Sequence, residues 1–109
     1  MDIITRLEEI ILIAIWKLKD NAYGVSINKE VSKIYGKNYT MGSLYFSLDQ
    51  LYRKELVSKK SGNPTSERGG RSKIYYSLTD EGRKSLVRVN ELNRKAWADI
   101  DDVAFNTIK

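Results

Sequence analysis

The 109-residue chain contains no cysteine and no histidine. Without cysteine, neither a disulfide bond nor a thiolate metal site can form. Without histidine, the chain lacks the commonest general base, the commonest metal ligand and the side chain that changes charge near neutral pH. No pair of carboxylates stands apart from ordinary surface charge either. We therefore expect a protein without enzymatic activity, bound metal or cofactor.

Long hydrophobic runs are also missing. The longest covers residues 10–16, between Glu9 and Lys17, whereas a helix needs about 20 apolar residues to span a bilayer. The first three residues contain no basic group of the kind that begins a secretory signal. The composition, 41% hydrophobic and 30% charged, is typical of a globular domain. These features predict a cytoplasmic protein that does not bind membranes.

The net charge of +5 comes from one part of the chain. Residues 1–52 contain six basic and six acidic side chains, and residues 85–109 contain four of each. Residues 53–84 contain nine basic and four acidic side chains. Localised positive charge is typical of a surface that binds a polyanion, but a solvated basic loop would have the same composition. The charge alone leaves both interpretations open.

Apolar side chains recur with a helical period in the first half of the chain. The first helix, over residues 3–18, is apolar on nearly all sides, which is typical of a helix buried by the core or by a second subunit. The second helix covers about residues 25–35 and ends at Gly36. The third begins at the N-cap Thr40 and continues to about Lys54.

A β-hairpin is predicted after the third helix. Residues 56–60 form a short extended segment, and residues 73–78 alternate between apolar and polar side chains, as a half-buried strand does. The glycine-rich residues 61–71 connect the two segments. A fourth helix begins at the N-cap Thr79 and continues through Ile100.

This order of elements predicts a mainly α fold with a small β-hairpin. Residues 1–79 would form a winged helix-turn-helix domain, and residues 80–109 a long C-terminal dimerisation helix, together one structural unit. A domain of this length leaves no surface of its own for the fourth helix to cover, so we expect that helix to pack on a second copy of the chain. Its interface residues are expected to be Leu86, Val89, Asn93, Trp97 and Ile100.

The third helix is expected to enter the major groove of DNA, because the second helix of a helix-turn-helix motif takes that position. Its polar face is small and almost uncharged, which would let it approach base edges closely. The hairpin cations would meet backbone phosphates on one flank. The residues expected to contact DNA are Thr40, Gly42, Ser43, Ser47 and Gln50 on the helix, and Lys59, Lys60, Arg68, Arg71 and Lys73 in the hairpin. A double-stranded operator, read in a sequence-specific manner, is therefore the expected partner.

Three parts of the sequence resemble the PadR-like family of bacterial and archaeal regulators. They are Tyr23-Gly24, the segment Gly42-Ser43-Leu44-Tyr45 with Leu48 and Leu51, and the segment from Gly70 to Arg83. The last has a lysine, two tyrosines, a leucine, a threonine and a glycine in an order that is rather specific to the family. The resemblance covers about residues 5–100, and the short C-terminal part looks like the subgroup with a single C-terminal helix.

The resemblance implies a homodimer in which the C-terminal helix pairs with the first helix of the partner subunit. On this chain the first-helix contacts would be Leu7, Ile11 and Ile15. The resemblance also implies repression of an operator, often relieved by a small hydrophobic or aromatic compound. Glu55 departs from the family, which usually has glycine there, so we expect less need for a left-handed residue at this position.

Two side chains have two interpretations each. Tyr45 matches the tyrosine of the family's third helix, which implies a phosphate contact, but its ring could instead pack on the core. Trp97 would be a plain dimer-core residue, or it would line a flat pocket for an aromatic effector. The other residues of that pocket would be Ile11, Ile15 and Asn93. For the whole protein, the alternative to a DNA-binding regulator is a winged-helix protein-interaction module, although a concentrated basic hairpin is atypical of such modules.

Overall fold

The computed structural model describes residues 4–62 and 73–100. Within these residues the helices are α1 (Arg6–Leu18), α2 (Gly24–Tyr35), α3 (Met41–Arg53) and α4 (Asp80–Trp97), and the strands are β1 (Val57–Ser61) and β2 (Ile74–Leu78). A short 3-10 turn, Lys19–Asn21, follows α1. The strands pair antiparallel, with Val57 opposite Leu78 and Ser61 opposite Ile74. The expected mainly α fold with a small hairpin is confirmed.

Threonine side chains cap three of the helices. Thr40 and Thr79 each accept a backbone N–H from the helical turn that follows, at 3.4 and 3.0 Å, so both predicted N-caps are confirmed. α1 begins at Arg6 rather than at residue 3. The reason is a capping box, in which the side chains of Thr5 and Glu8 each accept the other residue's backbone N–H.

The core lies where α1, α2 and α3 meet. Its largest fully buried side chains are Ile11, Leu12, Ile15, Ile27, Val31, Leu44, Leu48, Leu51 and Val57. Tyr76 of β2 adds to the same cluster, so the hairpin closes one side of the core. α1 therefore buries most of its apolar circumference within its own domain, while Trp16 remains 57% exposed.

The corner between α3 and β1 contains a residue in the left-handed conformation. Glu55 has φ +62°. Its N–H donates to the carbonyl of Tyr52, and the N–H of Leu56 donates to the carbonyl of Leu51, both at 3.0 Å. These two bonds form a Schellman motif, which fixes the backbone whichever side chain is present. The expectation that Glu55 lessens the need for this conformation is therefore wrong. Gly36 ends α2 in the same conformation, as expected.

α4 begins against this corner and ends earlier than expected. The N–H of Thr79 donates to the carbonyl of Leu56 at 3.1 Å. A Cβ atom on Gly82 would lie 2.1 Å from the same carbonyl oxygen, so the helix comes this close only because Gly82 has no side chain. The helix ends at Trp97, since Ala98 has an extended ψ of 144°. The expected continuation through residue 100 is wrong.

Candidate nucleic-acid interface

The exposed face of α3 is centred on Phe46, which has 68% of its surface exposed. Gly42 and Ser43, about one turn earlier, are exposed as well, and a Cβ atom on Gly42 would meet nothing within 4 Å. The expectation that Ser47 lies on this face is wrong, because Ser47 is buried. It lies beside the core stripe that contains Leu48, so the outer face is rotated toward Phe46.

The remaining α3 residues of the predicted interface differ in accessibility. Thr40 is exposed, and its hydroxyl accepts the N–H of Ser43 as the helix cap. Gln50 is half-buried at the edge of the exposed face. Their contacts with DNA remain predictions.

Hairpin lysines lie beside tyrosines of α3 and of the segment before α2. Lys59 Nζ lies 4.2 Å from the centroid of the Tyr52 ring, and Lys73 Nζ lies 4.1 Å from that of the Tyr23 ring. Such contacts hold an ammonium group near an aromatic face without neutralising its charge. Lys60 is exposed on β1. The other two predicted hairpin contacts, Arg68 and Arg71, lie outside the described residues.

The base of the hairpin is bonded to the rest of the domain. The N–H of Tyr76 donates to the carbonyl of Ala22 at 2.8 Å. Tyr23 forms a β-bridge with Tyr75, and their rings meet edge to face at 5.7 Å. Burial raises the pKa of the Tyr76 hydroxyl above its usual value of 10.0, and the nearby Tyr45 adds to the shift, so this phenol is neutral at physiological pH. These contacts fix the position of the strands that carry the lysines.

Tyr45 is 48% exposed, and its hydroxyl group packs against Gly24, the first residue of α2. A Cβ atom on Gly24 would be 2.1 Å from that hydroxyl oxygen. Tyr23 precedes the buried Gly24 and lies under Lys73, so contacts through Tyr23 and Gly24 connect Tyr45 to Lys73, and we call this set of groups the strip. The strip joins a phenol, the positive end of a helix dipole and an ammonium group.

Ion pairs separate the cations of residues 53–84 into two groups. Four of the nine are paired: Arg53 with Asp49 at 3.0 Å, Lys54 with Glu8 at 2.9 Å, Lys84 with Glu81 at 3.5 Å, and Arg83 with Asp80. Two more lie outside the described residues. The other three are Lys59, Lys60 and Lys73, and no carboxylate in the described part of the chain lies within ion-pair distance of them. Among the described residues of this stretch, the cations without a carboxylate partner are therefore all in the hairpin.

A second row of cations lies on α2 and just past its C-terminal end, and it was not predicted. Lys29, Lys33 and Lys37 follow one another at four-residue spacing, and all three are exposed. Sequence reasoning missed them because acidic residues balance the charge of residues 1–52 as a whole. The signal was the spacing of Lys29 and Lys33, since residues four apart share one face of a helix, whereas Lys37 lies beyond Gly36, where α2 ends.

A separate, apolar groove of about 400 Å³ lies between α1 and α4. Its lining includes Ile13 and Trp16 of α1 and Leu86, Val87 and Val89 of α4. Trp16 and Val87 are 57% and 62% exposed. Leu86 also packs against the domain core, so the expectation that α4 has no surface of its own chain to cover is wrong.

Several predicted interface residues are not in this groove. Ile11 and Ile15 are 0% and 2% exposed and neither lines the α1–α4 groove, so neither is available there to a second subunit or to a ligand. Both predictions are wrong, because α1 turns Ile11 and Ile15 toward α2 and α3 and leaves other apolar residues outside. Leu7 is half-buried and packs against the core. Asn93 donates from Nδ2 to Glu9 Oε2 of the same chain at 3.2 Å.

The C-terminal end of the predicted dimer surface is exposed. Trp97 is 55% and Ile100 is 45% exposed. Both interpretations of Trp97, as a dimer contact or as a pocket residue, stay open. In residues 4–62 and 73–100, no group of three or more acidic, cysteine or histidine side chains is placed to hold a metal ion. No helix in these ranges has the length and hydropathy needed to cross a membrane.

Comparisons with known proteins agree with this architecture. The sequence matches the transcriptional regulator PadR-like family over residues 11–88. The structure is similar to RosR of H. salinarum (27% identity, TM-score 0.69, covering 95% of this chain and 86% of that one). It is also similar to a PadR family transcription regulator of hypervirulent Clostridium difficile R20291 (28% identity, TM-score 0.66, 96% and 100% covered).

A third similar structure is a protein of Streptococcus mutans UA159 (27% identity, TM-score 0.71, covering 94% of this chain and 90% of that one). A comparison with curated proteins gave no match. The family match includes α2, α3, the hairpin and the first half of α4. The chain therefore belongs to the PadR-like family of transcriptional regulators, which bind DNA.

Proposed function

We propose that this protein is a transcriptional repressor that binds a double-stranded operator as a homodimer in the cytoplasm and recognises its sequence. The observation that carries this proposal is the combined surface of α3 and the hairpin. There, the small exposed residues Gly42 and Ser43 begin α3, and the hairpin lysines next to this helix, including Lys59 over Tyr52, have no carboxylate neighbour among the described residues.

α3 is the element suited to reading bases. The major groove is about 12 Å wide and admits one helix, whose N-terminal residues contact base edges. Small side chains in the first turn of α3 let its backbone come close to the groove floor. Lys59, held over Tyr52 of α3, then lies where it can bind a phosphate beside the groove.

Phosphate contacts from α2 would fix the register of α3. The strip formed by Tyr45, the first turn of α2 and Lys73 offers a hydroxyl donor, a helix dipole and a cation to one phosphate. Lys29 and Lys33 add positive charge further along α2, and the first helix of a helix-turn-helix motif crosses the DNA backbone. These contacts supply affinity that does not depend on sequence.

The α1–α4 groove supports a homodimer. Trp16 and Val87 leave more than half of their surface in water, and covering these apolar side chains with a second chain would gain free energy. In a two-fold dimer the same patch is used on both subunits, so Trp16 and Val87 of each chain would cover their counterparts. Two recognition helices about 34 Å apart would then match half-sites one DNA turn apart.

The junction of α4 with the α3–β1 corner supports control by an effector. Gly82 packs directly on the carbonyl of Leu56, so a tilt of α4 is transmitted to the end of α3. A small aromatic compound bound between α1 and α4 near the dimer axis would change that tilt and the spacing of the two recognition helices. The protein with this compound bound would release the operator, and repression would be relieved.

An electrophoretic mobility shift with the DNA upstream of the protein's own gene tests the proposal. We expect a complex with two chains per duplex, and an affinity that falls with salt at a slope of about −0.9 per phosphate contact. A scrambled duplex is the control for sequence. A protein-interaction module would give no shift at any salt concentration. An affinity that does not depend on salt or sequence would contradict the proposal as well.

A further inference from the structure

We infer that Phe46 reads a thymine in the operator, by packing its ring against the 5-methyl group in the major groove. This inference rests on the proposed binding of DNA by α3, and it adds a residue that determines specificity. The expectations from sequence did not include Phe46.

Phe46 is the most exposed of the large hydrophobic side chains in the described residues, at 68%. It lies two residues from both Leu44 and Leu48, which are fully buried, and two residues are about 200° around a helix. Its ring therefore points directly away from the core. An apolar ring held in water at the centre of a recognition helix gains free energy when a partner covers it.

The surroundings of the ring make it the most protruding group of this part of α3. Gly42, one turn earlier, has no side chain, and the space around it is open. One turn later, Asp49 is paired with Arg53 at 3.0 Å, so its carboxylate is directed along the helix. When α3 approaches DNA, the Phe46 ring reaches the groove floor before either neighbour does.

The chemistry of the ring selects among the four bases. In the major groove, guanine, cytosine and adenine present hydrogen-bonding groups, whereas thymine also presents a methyl group. A phenyl ring can form no hydrogen bond with polar base edges, and it would cost free energy by removing water from them. Contact with the methyl group removes apolar surface from water on both sides. Thymine is therefore the base that Phe46 favours.

Replacement of single thymines by deoxyuridine tests this contact, because it removes only the methyl group. The operator is first obtained by selection from random duplexes, and each thymine is then replaced in turn while affinity is measured by fluorescence anisotropy. With the wild-type protein, we expect one symmetric pair of thymines at which the replacement weakens binding about fourfold per methyl group. Replacements elsewhere should change affinity less than twofold.

Two variants assign the effect to Phe46. With Phe46→Ala, we expect weaker operator binding and no further loss when the same thymines become deoxyuridine. With Phe46→Leu, which keeps an apolar side chain, the deoxyuridine penalty should persist. Since the side chain is exposed, both variants should keep the wild-type melting temperature within a few degrees.

Three results would overturn the inference. They are an operator without a thymine at any position that α3 contacts, no penalty from any deoxyuridine, or an equal penalty in wild type and Phe46→Ala. If the protein still prefers its operator over scrambled DNA, such a result overturns the role of Phe46 alone. Absence of all operator binding would overturn the proposed function and this inference together.

Discussion

The two outer surfaces of this small domain differ in chemistry. The α3–hairpin surface carries lysines with no described carboxylate within ion-pair distance, small residues and exposed aromatic rings, whereas the α1–α4 groove is lined mainly by apolar side chains. Phosphates are bound by cations, and a protein surface of matching shape is bound by apolar side chains. This difference is the basis of our proposal that one surface binds DNA and the other binds a second copy of the chain.

The largest effect is expected from removing the hairpin lysines. Changing Lys59, Lys60 and Lys73 together to alanine should weaken operator binding by about 1,000-fold, because a dimer loses six cations that each contribute about 0.7 kcal/mol. The salt slope should become shallower by about 0.9 for each phosphate that the variant no longer neutralises. Anisotropy titrations at several salt concentrations measure both quantities.

Lys95→Ala is the control for this change, because Lys95 is an exposed cation near the end of α4. It should leave the affinity within twofold of wild type. Equal weakening in the triple variant and in Lys95→Ala would mean that the hairpin is not the phosphate-binding element.

A charge in the α1–α4 groove should break the dimer. Val87→Glu should weaken self-association by about 100-fold, because two carboxylates would be buried across the two-fold axis. Leu92→Glu is a matched control: Leu92 is 61% exposed, close to the 62% of Val87, but lies about 140° further around α4. Sedimentation velocity should show a monomer only for Val87→Glu. Dimers in both variants would place the interface elsewhere.

Two glycine substitutions test different parts of the molecule, because Gly82 lies where α4 packs on the α3–β1 corner and Gly42 lies in the first turn of α3. Gly82→Ala should lower the free energy of unfolding by about 1–3 kcal/mol, since the new methyl group would overlap the carbonyl of Leu56. Gly42→Ala should raise it by up to about 1 kcal/mol, because the added Cβ meets open space within a helix. The same Gly42→Ala change should weaken operator binding, because it adds bulk to the groove-facing side of α3.

Thermal and urea unfolding measure both stabilities. If Gly82→Ala were as stable as wild type, α4 would not be packed on the α3–β1 corner, and the transmission of a tilt from α4 to α3 would have no structural basis.

The smallest effect is expected from Glu55, in the corner between α3 and β1. Glu55→Gly should raise the free energy of unfolding by about 1 kcal/mol, because glycine adopts the observed φ of +62° without steric strain. Glu55→Ala removes the same charge but keeps the Cβ atom, so it should give no such gain. Differential scanning calorimetry can resolve the expected rise of several degrees in melting temperature. Equal stability of the glycine and alanine variants would contradict the claim that the backbone of Glu55 is strained.

The sequence was sufficient for the order of the elements and for their caps. Thr40, Thr79 and Gly36 lie where they were expected, because capping depends on hydrogen bonds within a few residues of the chain. In β2 the predicted alternation holds at Tyr76, which is buried, but not at Ile74, which was expected on the same side and is 40% exposed. Local signals such as the Thr5–Glu8 capping box could also have given the start of α1.

The orientation of the helices was harder to predict. α1 is apolar on nearly all sides, so periodicity could not decide that Ile11 and Ile15 face the core while Ile13 and Trp16 face outward. That choice depends on where α2, α3 and α4 pack. The face of α3 was open to prediction, since Ser47 lies only about 60° from the centre of the leucine stripe and Phe46 lies opposite it. Ser47 was placed on the exposed face because it is polar, although its position around the helix puts it beside the leucine stripe.

The most direct test of the assignment of the two surfaces is hydrogen–deuterium exchange of the protein with and without its operator. We expect bound DNA to slow exchange in the first turns of α3, at the start of α2 and in β1 and β2, while the amides of α1 and of α4 beyond residue 86 exchange as before. Slower exchange confined to α1 and α4, with α3 and the hairpin unchanged, would contradict the assignment.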